Sequence, residues 1–161
     1  MEELANYRRG LIKQYQEIGA EVESIAERLT VEKLNHFQEG TGWNAQHIFS
    51  HMRDVEGRYF LPFIKRVLVG ERTELGVFED VEKREEIENN EEHLHEIISD
   101  LQGNHRLLFD MLCDMSLKDW NRTGRYQRSG IHTVQWYLEQ NLAHLKAHIK
   151  QLAEQENQAN V

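Results

Sequence analysis

The sequence has few residues that form disulfides or interrupt helices, with one cysteine, one proline and ten glycines among 161 residues. A lone cysteine excludes an intrachain disulfide framework and any cluster of thiolate metal ligands. Scarce proline and glycine favour long helices. No run approaches the roughly 18 consecutive apolar residues of a membrane helix, and the first residues lack the apolar segment of a secretory signal. We therefore expect a cytoplasmic protein without a membrane partner.

The chain also lacks an excess of basic residues. The net charge is -9, and residues 71–100 hold twelve carboxylates against three basic side chains. An acidic chain without a basic stripe repels a phosphate backbone, so nucleic acid is not an expected partner. With 39% hydrophobic residues, the chain can bury a core, and its length fits a single domain over residues 1–161.

Apolar residues recur at spacings of three and four along four segments, which is the pattern of amphipathic helices. The predicted helices lie near residues 2–29, 44–69, 90–115 and 134–155. Asn44 and Thr133 are predicted N-caps, and Asn90 is predicted to open the third helix. Pro62 falls inside the second helix and predicts a kink or a break there. The fold class is all-α, a four-helix bundle.

The connections between these helices differ in length. Residues 70–89 form a long acidic crossover between helices 2 and 3, and their like charges predict the least rigid internal segment. Residues 121–130, NRTGRYQRSG, are predicted to be a loop. No period-two alternation persists long enough to build a sheet, so we expect no sheet of consequence.

Histidine is abundant, with nine residues, and two pairs stand four residues apart: His47/His51 and His144/His148. On a helix this spacing places two imidazoles on one face, about 5–6 Å apart at Cβ, where they can share a metal ion. The alternative is that each pair is only solvated or at the edge of the core. A third ligand must come from another helix, and His51 lies at the edge of the second helix's apolar stripe.

Other residues near this edge have less defined roles. His47 could be an alternative ligand, a partner of the ligands, or exposed. Asp54 and Asn141 lie one turn from the proposed ligands and could hydrogen-bond to them, although each position is more often ordinary helix surface. Cys113 has no neighbouring histidine on its helix, so a small packing residue is favoured over a catalytic thiol.

Two other kinds of site compete with this interpretation. A ferritin-like di-iron site needs two Glu-x-x-His motifs, and only Glu92/His95 fits, so that site is excluded. The one basic cluster, in the loop before the fourth helix, could orient an anionic substrate. The favoured explanation is that its arginines are solvated or balance the carboxylates of residues 71–100. This cluster consists of Arg122, Arg125 and Arg128.

Two stretches of the sequence resemble one known family. The run WNAQHIFSHMRDVEGRYFLPFIKRVL, with Trp43 eight residues before His51, resembles the second helix of DinB-like (DinB/YfiT) four-helix bundles. The run LKDWNRTGRYQRSGIHTVQWYLEQNLAHLKAHIKQL resembles the approach to the family's last helix and that helix itself. The resemblance implies that His51, His144 and His148 bind a divalent metal. Family members often have aspartate after the first late histidine, where this chain has Leu145.

Three neutral histidines suit Zn²⁺ or Ni²⁺ and leave a position for water or substrate. The resemblance implies one of two activities on a small-molecule substrate: metal-dependent hydrolysis, or transfer or isomerisation with a low-molecular-weight thiol such as bacillithiol, mycothiol or glutathione. The alternative is a non-catalytic, metal-stabilised bundle with a stress-associated or interaction role. A homodimer is compatible with the sequence. Metal binding is expected to weaken as pH falls through about 6.

Overall fold

The four predicted helices assemble into a four-helix bundle in a computed structural model that describes residues 2–29, 43–76 and 93–158. The elements are α1 (Glu2–Arg28), α2 (Ala45–Asp54), a π-helical turn (Val55–Phe60), α3 (Leu61–Leu68), α4 (Leu94–Asp114) and α5 (Val134–Gln158). The π-helical turn joins α2 and α3 into the second helix of the bundle. Asn90 and most of the acidic crossover, from residue 77 onward, lie outside the described residues.

The predicted apolar stripes meet in one core. Tyr15 of α1, Phe49 and Met52 of α2, and Leu138 of α5 are fully buried. Helices α1 and α2 each pack against both α4 and α5. Tyr7 is half exposed although it continues the α1 stripe, and its hydroxyl donates to Glu139. Across the described helices, none carries the length of apolar sequence that a bilayer crossing requires.

Both predicted N-caps are confirmed by their hydrogen bonds. The Asn44 Oδ1 accepts from the backbone N–H of His47 at 2.9 Å. In return, His47 Nδ1 accepts from the backbone N–H of Asn44 at 3.3 Å, which completes a capping box. The Thr133 hydroxyl accepts from the backbone N–H of Trp136 at 3.2 Å at the start of α5. These caps fix where α2 and α5, the helices that carry the candidate histidine ligands, begin.

The second helix passes through Pro62 without a break. Its π-helical turn precedes the proline, and the Leu61 N–H donates to the carbonyl of Glu56, five residues back. Pro62 then occupies the first turn of α3, where its missing N–H is tolerated. A widened turn therefore replaces the break that the sequence allowed, and Glu56 within this turn is fully buried.

The all-α fold class is confirmed, but a small sheet forms at one end of the bundle, where the sequence predicts a loop over residues 121–130. A three-stranded sheet has the order β1 (Glu74–Leu75), β2 (Thr123–Tyr126), β3 (Gly130–Thr133). Strand β1 is parallel to β2, and β2 and β3 form an antiparallel hairpin within the segment predicted to be a loop.

Close contact with the second helix explains why these short strands form. A Cβ on Gly124 would lie 2.5 Å from the Phe63 ring and 2.9 Å from Val67, so only glycine lets the hairpin approach this closely. The Tyr137 hydroxyl donates to the Gly124 carbonyl at 3.0 Å. Within β2 and β3 only Gly124 is buried, so these strands show no alternating pattern of large apolar residues.

Candidate metal centre

Three histidines predicted as ligands converge between the second and last helices. His51 comes from α2 and is buried, whereas His144 and His148 come from successive turns of α5 and are partly buried. The Nε2 atom of His144 lies 3.0 Å from Nε2 of His51 and 2.9 Å from Nε2 of His148. One nitrogen from each ring therefore points toward a common centre.

The spacing of these nitrogens fits a small divalent cation. Zinc–imidazole bonds of about 2.0–2.1 Å in a tetrahedral arrangement place ligand nitrogens roughly 3.3 Å apart. The two separations from His144 Nε2, 2.9 and 3.0 Å, differ from that by only a few tenths of an ångström, and the ligand atoms of all three rings lie within 4.8 Å of one another. The donor set is three imidazoles, which suits a divalent metal of the zinc or nickel type.

Gln151 orients one of the three rings. His148 Nδ1 lies 2.7 Å from the side-chain oxygen of Gln151, three residues later on α5. Because an amide oxygen only accepts, Nδ1 carries the proton, and Nε2 presents its lone pair to the centre. A carboxylate or carbonyl in this position commonly fixes a ligand histidine. Here a glutamine carbonyl does so, and the sequence analysis missed this role.

Trp43 covers one side of the centre. Its ring stacks on His148 with a centroid distance of 6.2 Å and tilts against His51 at 5.0 Å. The backbone carbonyl of Trp43 accepts from Gln155 Nε2 at 2.9 Å, which ties this residue to α5. The spacing between Trp43 and His51, recognised in the sequence only as a family pattern, therefore corresponds to an aromatic wall on the site.

The imidazoles of α5 are held neutral. Burial lowers the pKa of His144 to about 3, with further lowering from the neighbouring His148 and His51. Burial also lowers the pKa of His148 to about 4, again with His51 contributing, against a smaller opposing effect of the Gln151 hydrogen bond. At neutral pH both rings are therefore free of the protons that compete with a metal ion.

We predict that the metal-free protein loses stability in acid through these two rings. Because their folded-state pKa values lie below the ordinary value of about 6.5, the unfolded state binds more protons between pH 6.5 and 4. Stability is complete above pH 6.5 and falls as pH falls. When the pH is lowered from 7 to 5, each ring should decrease the free energy of unfolding by about 1 to 2 kcal/mol.

Urea titrations in the presence of a chelator measure this loss. The parent should lose more stability from pH 7 to 5 than a double variant, His144→Gln with His148→Gln, because glutamine does not titrate. Equal losses in the two proteins would show that these rings are not held neutral by the fold.

The other candidates near the site have different partners. His47 belongs to the capping box and is not part of the cluster. Asp54 is buried and pairs with Arg53 Nε at 2.9 Å and Arg58 Nε at 3.2 Å. Asn141 is buried, and its Nδ2 donates to the Tyr15 hydroxyl at 3.2 Å. None of these contacts reaches a histidine of the cluster.

Cys113 and the arginines of the hairpin also lie apart from the histidine cluster. The prediction that Cys113 is a packing residue is wrong, because its side chain is exposed. Desolvation, followed by the neighbouring Asp110 and Asp114, raises the pKa of its thiol. Arg125 Nε lies 3.0 Å from the Glu74 carboxylate. This ion pair confirms that Arg125 balances a carboxylate of residues 71–100. Arg122 pairs with Asp119 at 2.9 Å.

A second polar cluster, which the sequence analysis missed, lies inside the bundle. The Glu56 carboxylate contacts Nδ1 of His105 at 3.1 and 3.2 Å, and Nε2 of the same ring lies 2.6 Å from the carbonyl of Tyr15. Both partners of the ring are acceptors, so the geometry calls for an imidazolium. Burial alone lowers the pKa of His105, but Glu56 and the Tyr15 carbonyl together raise it above its ordinary value.

Comparison with known proteins gives a family and a fold. A family model described as the DinB superfamily matches residues 14–152. Among curated proteins, none matches this chain by sequence. The structure is similar to that of YfiT from Bacillus subtilis, described as a probable metal-dependent hydrolase with an unusual four-helix bundle topology. The TM-score is 0.82 at 17% identity, over 95% of this chain and 87% of that one.

A second structural relative is a histidine-to-alanine variant of a mycothiol-dependent maleylpyruvate isomerase. The TM-score is 0.73 at 10% identity, over 90% of this chain and 60% of that chain. The bundle of this protein therefore corresponds to only part of the isomerase. At these identities both likenesses establish the four-helix fold, including its topology, and leave the activity to be argued from the site.

Proposed function

The chain belongs to the DinB superfamily, and on that premise we propose that it is a metal-dependent enzyme that acts on a small molecule at its three-histidine centre. The reaction is hydrolysis, or transfer or isomerisation with a low-molecular-weight thiol. The observation that carries this proposal is the convergence of the three Nε2 atoms from two helices. The metal-dependent and thiol-dependent descriptions of the two structural relatives support the same pair of reactions.

His51, His144 and His148 would hold the metal, with zinc and nickel as the proposed ions. Such an ion, when bound, would lower the pKa of a water ligand toward about 7 or stabilise a thiol as its thiolate. The protein's own contribution is to keep the α5 imidazoles neutral, to orient His148 through Gln151 and to exclude water with the Trp43 ring. Three protein ligands leave a coordination position for a substrate group, as catalytic zinc sites require.

Two probe reactions separate hydrolysis from thiol chemistry. Protein without an affinity tag is loaded with zinc or nickel and assayed for hydrolysis of p-nitrophenyl acetate without thiol, and for conjugation of chlorodinitrobenzene with bacillithiol, mycothiol or glutathione. We expect metal-dependent turnover in one assay, lost in His144→Ala. It should persist in Lys150→Ala, an exposed change on the same helix.

The result of these assays also decides between an enzyme and a non-catalytic bundle. A protein that holds one equivalent of metal but accelerates neither reaction favours the metal-stabilised, non-catalytic role. Turnover that survives both His144→Ala and a chelator would place the chemistry at another site.

A further inference from the structure

A cavity of about 190 Å³ adjoins the histidine centre, with His144 in its wall. It runs along α5 from the sheet end of the bundle toward the metal ligands. Trp136 and Tyr137 line one end, Gln140 and Asn141 follow, and His144 comes last. These positions recur on one face of the helix, and the eight residues from Trp136 to His144 span roughly 12 Å.

The far end of this cavity is aromatic. Phe60, from the end of the π-helical turn, and Tyr126, from β2, complete a wall with Trp136 and Tyr137. The rings of Trp136 and Tyr137 meet at 86° with centroids 5.1 Å apart, so the cavity is bordered by both a ring face and a ring edge. This arrangement suits a further flat ring in offset or edge-to-face contact.

The aromatic side chains that line the far end of this cavity are already held in place without a ligand. Trp136 stacks on His132 with a centroid distance of 3.8 Å. Tyr137 packs edge-on against Phe63 at 4.7 Å, and its hydroxyl donates to the Gly124 carbonyl. Asn141 is oriented by its hydrogen bond to Tyr15. A preformed wall reduces the conformational entropy that binding would otherwise cost.

The wall also selects against charge. Among the described residues that line this cavity, none has a carboxylate, guanidinium or ammonium group. Burial raises the pKa of Tyr137 to about 12, so its phenol stays protonated. A charged group placed here would lose its hydration without gaining an ionic partner, which is costly. The paired Arg122 and Arg125 do not line the cavity.

We propose that this cavity binds a neutral, flat ring of the substrate, aromatic or conjugated, and directs a polar substituent past Gln140 and Asn141 toward His144. The inference rests on the proposed function for its reacting end, but not for ring binding itself. A dry cavity of about 150 Å³ is large enough for benzene. The volume of about 190 Å³ is therefore large enough for a benzene-sized ring with a short substituent.

The test uses metal-free protein and three probes of nearly equal size: benzyl alcohol, benzoate and benzylamine. Binding is followed by chemical shift changes in ¹H–¹⁵N NMR spectra, with the Trp136 indole N–H assigned through Trp136→Phe. We expect benzyl alcohol to shift that resonance saturably, with a Kd near millimolar for so small a ligand. Benzoate and benzylamine should bind at least tenfold more weakly.

Two variants locate the binding. Gln140 is exposed at the cavity, so Gln140→Trp is expected to fold, to occupy the cavity and to weaken benzyl alcohol binding at least tenfold, whereas Gln140→Ala should retain it. Trp136→Ala, which removes a ring from the wall, should also weaken binding. Equal affinity for benzoate, no binding of benzyl alcohol, or binding that is unchanged in both Gln140→Trp and Trp136→Ala would overturn the proposal.

Zinc content measured on the same samples separates this proposal from the proposed function. Gln140→Trp should hold as much zinc as the parent. Ring binding in a protein that takes up no metal would support the cavity and contradict the metal-dependent enzyme. Metal uptake without ring binding would support the metal centre and contradict the ring-binding cavity.

Discussion

Replacing His105 with alanine should lower the free energy of unfolding by about 3 to 5 kcal/mol, because it leaves the Glu56 carboxylate buried without its charged partner. Glu56 is fully buried, and the His105 ring connects it to the Tyr15 carbonyl on α1. The pair therefore joins the second helix, α1 and α4 at the level of the π-helical turn. Urea denaturation at pH 6 measures the loss.

A matched pair of controls shows whether the loss comes from the unpaired charge. His95 is exposed on the same helix, and His95→Ala should change stability by no more than about 0.5 kcal/mol. The double variant Glu56→Leu with His105→Leu removes both charges and should recover much of the loss. A loss below 1 kcal/mol in His105→Ala, or a double variant as unstable as His105→Ala, would contradict a buried ion pair.

The contribution of this pair should depend on pH in the opposite direction to that of the α5 histidines. The folded state raises the pKa of His105, so its stabilisation is complete below the ordinary value of about 6.5. It is lost as pH rises through the folded-state pKa. The destabilisation caused by His105→Ala should therefore be larger at pH 6 than at pH 9.

Saturating zinc should stabilise the folded protein by about 4 kcal/mol when its free concentration is a thousand times the Kd. For a domain of this size, that corresponds to an increase in Tm of roughly 10 °C. The reason is that the three imidazoles meet only in the folded chain. Thermal unfolding followed by circular dichroism, with and without zinc, measures the increase, and His144→Ala should abolish it.

His47→Ala is the matched control for this experiment. It removes a histidine from the same helix as His51, but it also removes half of the capping box. We expect the metal-free protein to be less stable by about 0.5 to 2 kcal/mol, with the zinc-dependent increase unchanged. An increase that persists in His144→Ala, or disappears in His47→Ala, would show that the wrong histidines have been assigned.

The helices of the bundle could be predicted from the sequence because apolar residues spaced by three and four suffice to mark a buried helix face. The same spacing rule placed His144 and His148 on one face, and the resemblance to a known family identified His51 on the partner helix. The structure brings their Nε2 atoms together. For the helices and the histidine pair of α5, local periodicity carries the information, whereas His51 needed the family resemblance as well.

Apart from Gln151, which lies one helical turn after His148, the features that were missed depend on contacts between distant parts of the chain. The hairpin forms because Gly124 packs against Phe63, and no local pattern encodes that approach. The buried ion pair had a signal in hindsight, since His105 lies four residues after Leu101 and three before Leu108, both core residues. A histidine within an apolar stripe requires a partner, but only the tertiary structure identifies that partner as Glu56, which is buried in the π-helical turn.

The zinc content of protein prepared without an affinity tag tests the central claim most directly. After loading with excess zinc and gel filtration, mass spectrometry should find about one zinc per chain in the parent and in His47→Ala. Most of it should be absent from His148→Ala, because two imidazoles hold zinc far less tightly than three. A parent that binds neither zinc nor nickel, or a His148→Ala variant that holds as much metal as the parent, would contradict the three-histidine centre.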